Sequence, residues 1–389
     1  EASVFGHEQL RKRYASPFNP YLNTRFDAAL VFLLLATPSS GVTLYDRLAD
    51  LPLRIDSETR TRHERDTSSD FTRTTTVFEL RGDGRVGRGE DVTYDAADHD
   101  ALADVDALVP TGEFTFDEFS SALDDVALFP TKEPEQPSAH HYRRWGIESA
   151  ALDLALRQAD TDFASALGRD RDPVTFVVST RLGDPPTIDR VTDILERHPD
   201  LGLKLDPTSD WDDDLVAALA DTGAVRLLDL KGHYTGTTVD QPPDPALYER
   251  VVHGFPDAVI EDPALADGTR ALVESVRDRV SWDAPITGVE SVRDLPFEPR
   301  WLNVKPSRFG TVESLLETIE DARARDVTLY GGGQFELGVG REHIQTLAAT
   351  FYPDAPNDVA PGGYNLPDLP EDLPGSPLTP GADPRGLSF

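Results

Sequence analysis

Trp301-Leu-Asn-Val-Lys305-Pro-Ser-Arg-Phe-Gly310 couples a short apolar run to one lysine, and a proline and a glycine then end the run. The pattern reads as a buried parallel strand that delivers a charged side chain to the carboxyl edge of a sheet. Lysine is scarce here: the chain has Lys12, Lys132, Lys204, Lys231 and Lys305 and no others. Three of these stand at the ends of strand-like runs, Lys204 in Leu-Gly-Leu-Lys-Leu-Asp, Lys231 in Leu-Leu-Asp-Leu-Lys-Gly, and Lys305. An amine has a pKa that its surroundings can tune, which arginine does not offer. Perturbed titratable groups cluster at functional sites.

Working outward, short apolar runs recur from Pro173 onward at 175–179, 201–205, 225–230, 258–260, 280–282, 301–304 and 327–330. Helix-like spacers lie between most of them, at 188–197, 212–222, 245–253, 269–277 and 312–325. Strands alternating with helices imply a parallel α/β sheet. Seven of them favour a closed barrel over an open, doubly wound sheet. The N-terminal half differs. Residues 51–92 are β-rich, with a hairpin at Arg81-Gly-Asp-Gly, and read as a small antiparallel sheet. Residues 96–128 carry helical apolar spacing, and a helix from Tyr142 is expected to run on to Leu167, with Gly168 as its C-cap. Ala150 and Ala159 suit it to close packing.

Four segments follow: an extension at 1–43, an α+β domain at 44–172, the barrel at 173–363, and a Pro/Asp-rich tail at 364–389 expected to fray beyond Leu373. The extension holds a nine-residue apolar run at 28–36, too short to span a bilayer as a helix. It reads as an extra helix or extension more readily than as a signal segment.

The formal net charge of −33 is spread along the chain, which argues against a nucleic-acid partner because phosphate would be repelled. A dispersed acidic surface with few lysines fits a high-salt cytoplasm, where salt screens self-repulsion. Without cysteine, disulfides and thiolate metal sites are excluded. His140, His141, His233 and His343 lack metal-binding spacing and read as surface or capping residues.

In a barrel the carboxyl ends of the strands carry the chemistry. Those ends supply Lys204 and Asp206, Asp229 and Lys231, Glu261 and Asp262, Asp283, and Lys305. Asp229, Glu261 and Asp283 come from three successive strands and would converge. Two carboxylates about 4 Å apart repel by roughly 4 kcal/mol at an effective dielectric of about 20, so three need a cation or a proton. Oxygen ligands alone suit Mg²⁺, with Mn²⁺ second. A hard dication beside lysines fits one chemistry: a substrate carboxylate binds the metal, a lysine removes the α-proton, and the metal stabilises the enediolate. The run Tyr330-Gly-Gly-Gly-Gln-Phe-Glu-Leu-Gly-Val-Gly-Arg places Gln334 and Glu336 at the barrel mouth; it matches no nucleotide-binding motif and serves equally as a tight turn.

The ordered set Lys-x-Asp, Asp, Ile-Glu-Asp-Pro, Trp-Asp-Ala-Pro and Val-Lys-Pro-Ser-Arg-Phe-Gly resembles the enolase superfamily, in its muconate lactonizing enzyme-like branch. Gly146-Ile-Glu-Ser-Ala-Ala-Leu-Asp-Leu-Ala is similar to that superfamily's helix between its two domains. The resemblance covers residues 51–365. It implies an α+β capping domain on a modified TIM barrel, (β/α)₇β. It further implies Asp229, Glu261 and Asp283 as Mg²⁺ ligands, Lys305 as the acid/base residue, substrate contacts near Gln334 and Glu336, and a small carboxylate substrate. A homo-oligomer is compatible with it; no nucleic-acid or membrane partner is expected.

Three departures bear on the reaction. The branch carries Lys-x-Lys on its second strand, where this chain has Lys204 and then Asp206. Lys231 stands where Asn is usual, and Ala284 replaces an acid after Asp283. Racemisation between two opposed lysines is therefore disfavoured. One-base reactions survive: dehydration, cycloisomerisation or an o-succinylbenzoate synthase-like elimination. Lys231 or Lys204 could supply the missing amine, with Asp206 left to contact substrate. Two alternatives stay open: a Schiff-base aldolase using Lys204, Lys231 or Lys305, and a metal-binding barrel that has lost its chemistry.

Overall fold

The computed structural model describes residues 41–234 and 241–389. The expected extension at 1–43, with its apolar run, falls almost wholly outside the described residues. The first part of the chain pairs β1 (Pro52–Ile55) with β5 (Gly112–Thr115), and β2 (Ser57–Asp66), β3 (Thr72–Gly82) and β4 (Arg85–Asp91) form an antiparallel sheet in that order. Short helices α1 (Asp46–Ala49), α2 (Ala96–Asp100) and α3 (Phe116–Ala122) surround them. Thr115 and Glu118 close a reciprocal capping box at the start of α3.

The long helix α4 (Ala139–Gln158) lies on β4 with nearly its whole surface covered. Glycines permit the approach: a Cβ on Gly89 would stand 2.1 Å from the Gly146 carbonyl oxygen, and one on Gly87 2.3 Å from that of Ala150. Charges on this helix are buried in pairs. Arg143 reaches Asp91 at 2.8 Å, and Arg144 reaches Glu148 at 2.8 Å. Glu148 also accepts the Val312 N–H at 2.8 Å, tying α4 to the barrel. The helix stops sooner than its apolar spacing suggests. Asp160 takes a left-handed backbone (φ 54°), and Asp162 then caps a separate short helix, α5 (Phe163–Ala166). Gly168 ends that second piece, not α4.

From Val177 the chain builds a curled parallel sheet of seven strands in sequence order: β6 (Val177–Thr180), β7 (Gly202–Leu205), β8 (Val225–Asp229), β9 (Val259–Glu261), β10 (Val280–Trp282), β11 (Trp301–Val304) and β12 (Thr328–Gly331). The connecting helices are α6 (Asp189–Arg197), α7 (Asp213–Asp221), α8 (Pro245–Gly254), α9 (Arg270–Ser275), α10 (Val289–Arg293) and α11 (Val312–Ala324); α12 (Gly340–Phe351) follows the last strand. Asp212, Asp244 and Thr311 cap three of these helices with side-chain oxygens. The short, proline-broken interval between β10 and β11 holds the five-residue α10.

Residues 357 and 358 take the place of an eighth strand. Asn357 bridges Phe176 beside β6, and Asp358 bridges Gly332 beyond β12. The Asn357 side chain accepts the Gly331 N–H at 2.7 Å and donates to the Thr175 carbonyl at 2.9 Å, joining the first and last strands. This closure gives the expected (β/α)₇β barrel with an N-terminal α+β domain.

Side chains alternate across each strand. Leu228 and Ile260 face the helices within the main core, whereas Val177, Leu227, Val259 and Tyr330 form a small apolar cluster of their own. Asp229 and Glu261 lie two residues beyond Leu227 and Val259, so they share the face of that second cluster at the strand ends. The tail does not fray. Val174 pairs with Leu378, and Leu387 is buried with its N–H donated to Asp153 of α4 at 2.7 Å. Apolar anchors and a buried carboxylate offset the cost of ordering this proline-rich segment. His343 is also buried, inside α12, and burial lowers its pKa to about 3.

Substituting Gly89→Val should destabilise the fold by about 3 kcal/mol or more, since the α4 backbone leaves no room for a side chain. Urea denaturation reads this directly, and an unchanged midpoint would contradict the close packing of α4 on β4.

Candidate active site

Every acid and lysine singled out at the strand ends lies at the carboxyl rim of the barrel. Asp229 and Glu261 are register partners on adjacent strands, and Asp283 follows β10 directly. All three are fully buried, and each acts electrostatically on the others. The amines lie among them. Lys204 donates to Glu261 at 2.7 Å and contacts Asp358 at 3.3 Å and Asp229 at 3.5 Å. Lys305 donates to Asp283 Oδ2 at 2.7 Å. Lys231 is ion-paired with Asp229 Oδ2 and stands 3.5 Å from Asp206.

Further groups complete this network. Arg308 contacts Asp283 Oδ1 through Nε at 3.0 Å, and Tyr234 donates to Asp283 Oδ2 at 3.0 Å. Tyr330 donates to Glu261 at 2.7 Å, and Asn303 donates to the same carboxylate at 3.1 Å. Asp262 turns away from the amines and accepts the N–H groups of Asp283 and Ala284, both at 2.8 Å. It thereby fixes the loop after β10, where Ala284 replaces an acid.

Burial and charge compete throughout. Burial alone would raise Asp229, but the Lys231 and Lys204 charges outweigh it and bring its pKa down to about 2. Burial opposes ionisation of Asp283 too, and Arg308 and Lys305 override it, holding the carboxyl far below its usual range. For Glu261 burial wins and the pKa rises despite Lys204. Burial acts to lower all three lysines, yet each ends above its usual value: Lys204 through Glu261 and Asp358, Lys231 through Asp206 and Asp229, Lys305 through Asp283. In this state the amines are cations.

Whether a hard dication suits these residues is answered by their oxygens. The donor set is carboxylate, without sulfur or imidazole. Buried side-chain oxygens of Asp206 and Asn303 accept no hydrogen bond, and such acceptors at one rim favour a cation. Among the described residues no three ligands already stand around one point, because amines bridge the acids. The chemistry fits, and the amine contacts must yield for an ion to enter.

Gln334 and Glu336 belong to the glycine-rich loop between β12 and α12. Both are buried, and Glu336 accepts the Gln334 N–H at 2.7 Å. The N-terminal domain holds this loop. Glu90 of β4 accepts the N–H groups of Leu337 at 2.7 Å, Gly338 at 3.0 Å and Gly340 at 2.8 Å. Arg73 donates to the Gln334 carbonyl at 3.1 Å, and Tyr94 donates to the Gln334 side chain at 2.7 Å. Sequence reasoning passed over Glu90, Arg73, Tyr94, Tyr234 and Asp358. Arg308, Asn303 and Tyr330 stood inside quoted motifs without an assigned role.

Residues 46–166 and 170–366 match the N-terminal and C-terminal domains of the family described as domain of unknown function (DUF8230). The chain belongs to the DUF8230 family. An N-succinylamino acid racemase from Amycolatopsis sp is 26% identical over 239 residues, 59% of this chain and 61% of that protein. The match therefore spans about three fifths of that relative's length. An o-succinylbenzoate synthase from Geobacillus kaustophilus is 25% identical over 300 residues, 72% of this chain and 76% of that one. Among solved structures, muconate lactonizing enzyme from Pseudomonas putida superposes with a TM-score of 0.63 at 20% identity, covering 86% of this chain and 96% of that one. A dipeptide epimerase from Methylococcus capsulatus, complexed with Mg and the dipeptide L-Arg-D-Lys, gives 0.67 at 17% identity, covering 86% and 99%. This DUF8230 chain thus shares the fold of muconate lactonizing enzyme and of the dipeptide epimerase, the fold that the strand-end motifs imply. Among the described residues no helix is long and apolar enough to cross a membrane.

Lys204→Ala should cost about 3–5 kcal/mol of stability, because it leaves the buried carboxylates of Glu261 and Asp229, and the half-buried Asp358, without their shared amine. Chemical denaturation at neutral pH measures it; a loss below about 1 kcal/mol would show that Lys204 is not the counter-ion of this layer.

Proposed function

We propose that this protein is an enolase-superfamily lyase or isomerase that removes the proton α to a carboxylate of a small substrate. Asp229, Glu261 and Asp283 would hold Mg²⁺, or Mn²⁺ in its place, and Lys305 would be the acid/base group. One observation carries the reading: three buried carboxylates stand at the ends of three successive strands, with the Lys305 amine 2.7 Å from one of them. The superfamily fold, the enzymes among its relatives and the Mg-bound epimerase support it.

Bound there, the ion would hold the substrate carboxylate, offset the charge left when the α-proton departs, and weaken the grip of the acids on the lysine protons. The protein's own groups do the rest. Tyr234 and Arg308 fix Asp283, and through it the place of Lys305. Lys204 is locked between Glu261 and Asp358, so it serves this layer as a positioning charge. Gln334 and Glu336 face the substrate from the loop that the capping domain holds. A one-base outcome suits Lys305, whose amine is paired with Asp283 where that of Lys204 has three carboxylates around it: dehydration, cycloisomerisation or a synthase-like elimination. The cytoplasmic, high-salt setting belongs to the same reading. A Schiff-base mechanism is less favoured, because the relatives are a racemase, a synthase and an Mg-complexed epimerase.

The test is α-hydrogen exchange in deuterated water across acid sugars, N-acyl amino acids, dipeptides and succinylbenzoate-type acids. One class should exchange in the presence of Mg²⁺, stop on chelation and recover on re-addition. Lys305→Ala should lower that rate by about 10²–10⁴-fold. Exchange that persists unchanged in Lys305→Ala would rule the mechanism out.

A further inference from the structure

We propose that Lys231 is the resident counter-ion of Asp229 and competes with a divalent cation for it, with Asp206 as the acceptor that receives the displaced amine. This rests on the metal reading above and adds a device that sets how tightly the ion is held.

Lys231 is tied to Asp229 twice. Its amine is ion-paired with Oδ2, and its backbone N–H donates to Oδ1 at 3.1 Å. The residue has a left-handed backbone (φ 52°), unusual for a lysine, which folds its side chain back over the strand end. The side chain is only 14% exposed, so water does little to screen its charge. A dication on Asp229 would meet this fixed positive charge at contact distance, and like charges in a poorly solvated site repel strongly.

Asp206 supplies the alternative. Its Oδ1 is buried, accepts no hydrogen bond and lies 3.5 Å from the Lys231 amine. Its other oxygen is engaged by Arg181 at 3.3 Å. That oxygen, already an ion-pair partner at 3.5 Å, is therefore one short side-chain movement from hydrogen-bond distance of the amine. Lys204 offers no such exchange, since Glu261, Asp358 and Asp229 surround its amine. The pairing accounts for two departures together: a carboxylate just beyond β7 and an amine beyond β8 form one unit.

Mg²⁺ titration of the metal-free protein by calorimetry at fixed ionic strength tests this without any substrate. Lys231→Gln should bind Mg²⁺ at least tenfold more tightly than the unaltered chain. Asp206→Asn should bind it at least tenfold more weakly, because the amine then stays on Asp229. Thermal melts without metal establish that both variants fold. Should Lys231→Gln not fold, Asp206→Asn decides alone: weaker binding supports the inference, and equal or tighter binding overturns it. Shifts of the same sign in both variants, or none in either, overturn it while leaving the metal site standing. If no form binds Mg²⁺, the metal reading and this inference both fall.

Discussion

The structure depends on a layer of buried charge at the carboxyl rim of the barrel. Asp229, Glu261 and Asp283 cannot all remain ionised and water-free without positive partners, and Lys204, Lys231, Lys305 and Arg308 supply them. Isolated buried ions would cost several kcal/mol each. Paired across strands, they become a constraint on register, since a one-residue slip would turn each group to the opposite face of the sheet. Below this layer Val177, Leu227, Val259 and Tyr330 close the barrel interior with apolar side chains, and Tyr330 links the two by donating to Glu261.

A second constraint is the joint between the domains. A single buried carboxylate, Glu90, gathers backbone N–H groups from the loop after β12, while Glu148 and Asp153 of α4 take N–H groups from α11 and the tail. The N-terminal domain is thus tied to the barrel through backbone donors that would otherwise be buried without partners.

Much of this was legible in the sequence, and for identifiable reasons. The seven barrel strands are short apolar runs bounded by polar spacers, so their positions follow from composition alone; Val225–Asp229 and Trp301–Val304 fall almost where the runs do. β2 lies within the β-rich stretch 51–92 but is not marked out there, because Ser57–Asp66 is an outer strand covered with Arg, Glu and Thr, the charged edge that discourages further pairing, and shows no apolar alternation. β5 lay hidden in a stretch with helical spacing. The break after α4 hinged on Asp160 adopting positive φ, which no periodicity reveals. At the rim, the acids and lysines could be found because strand ends expose them as breaks in apolar runs. Asp358, Tyr234 and Arg73 could not, because tertiary closure alone brings them near.

The central claim is that Asp229, Glu261 and Asp283 together hold one divalent ion. Crystals grown with Mn²⁺, with data collected on both sides of the manganese absorption edge, test it most directly. The account predicts one strong anomalous peak within about 2.0–2.3 Å of oxygens from all three residues. A peak elsewhere, or none at the rim with the three acids still bridged by lysine amines at saturating Mn²⁺, would contradict it.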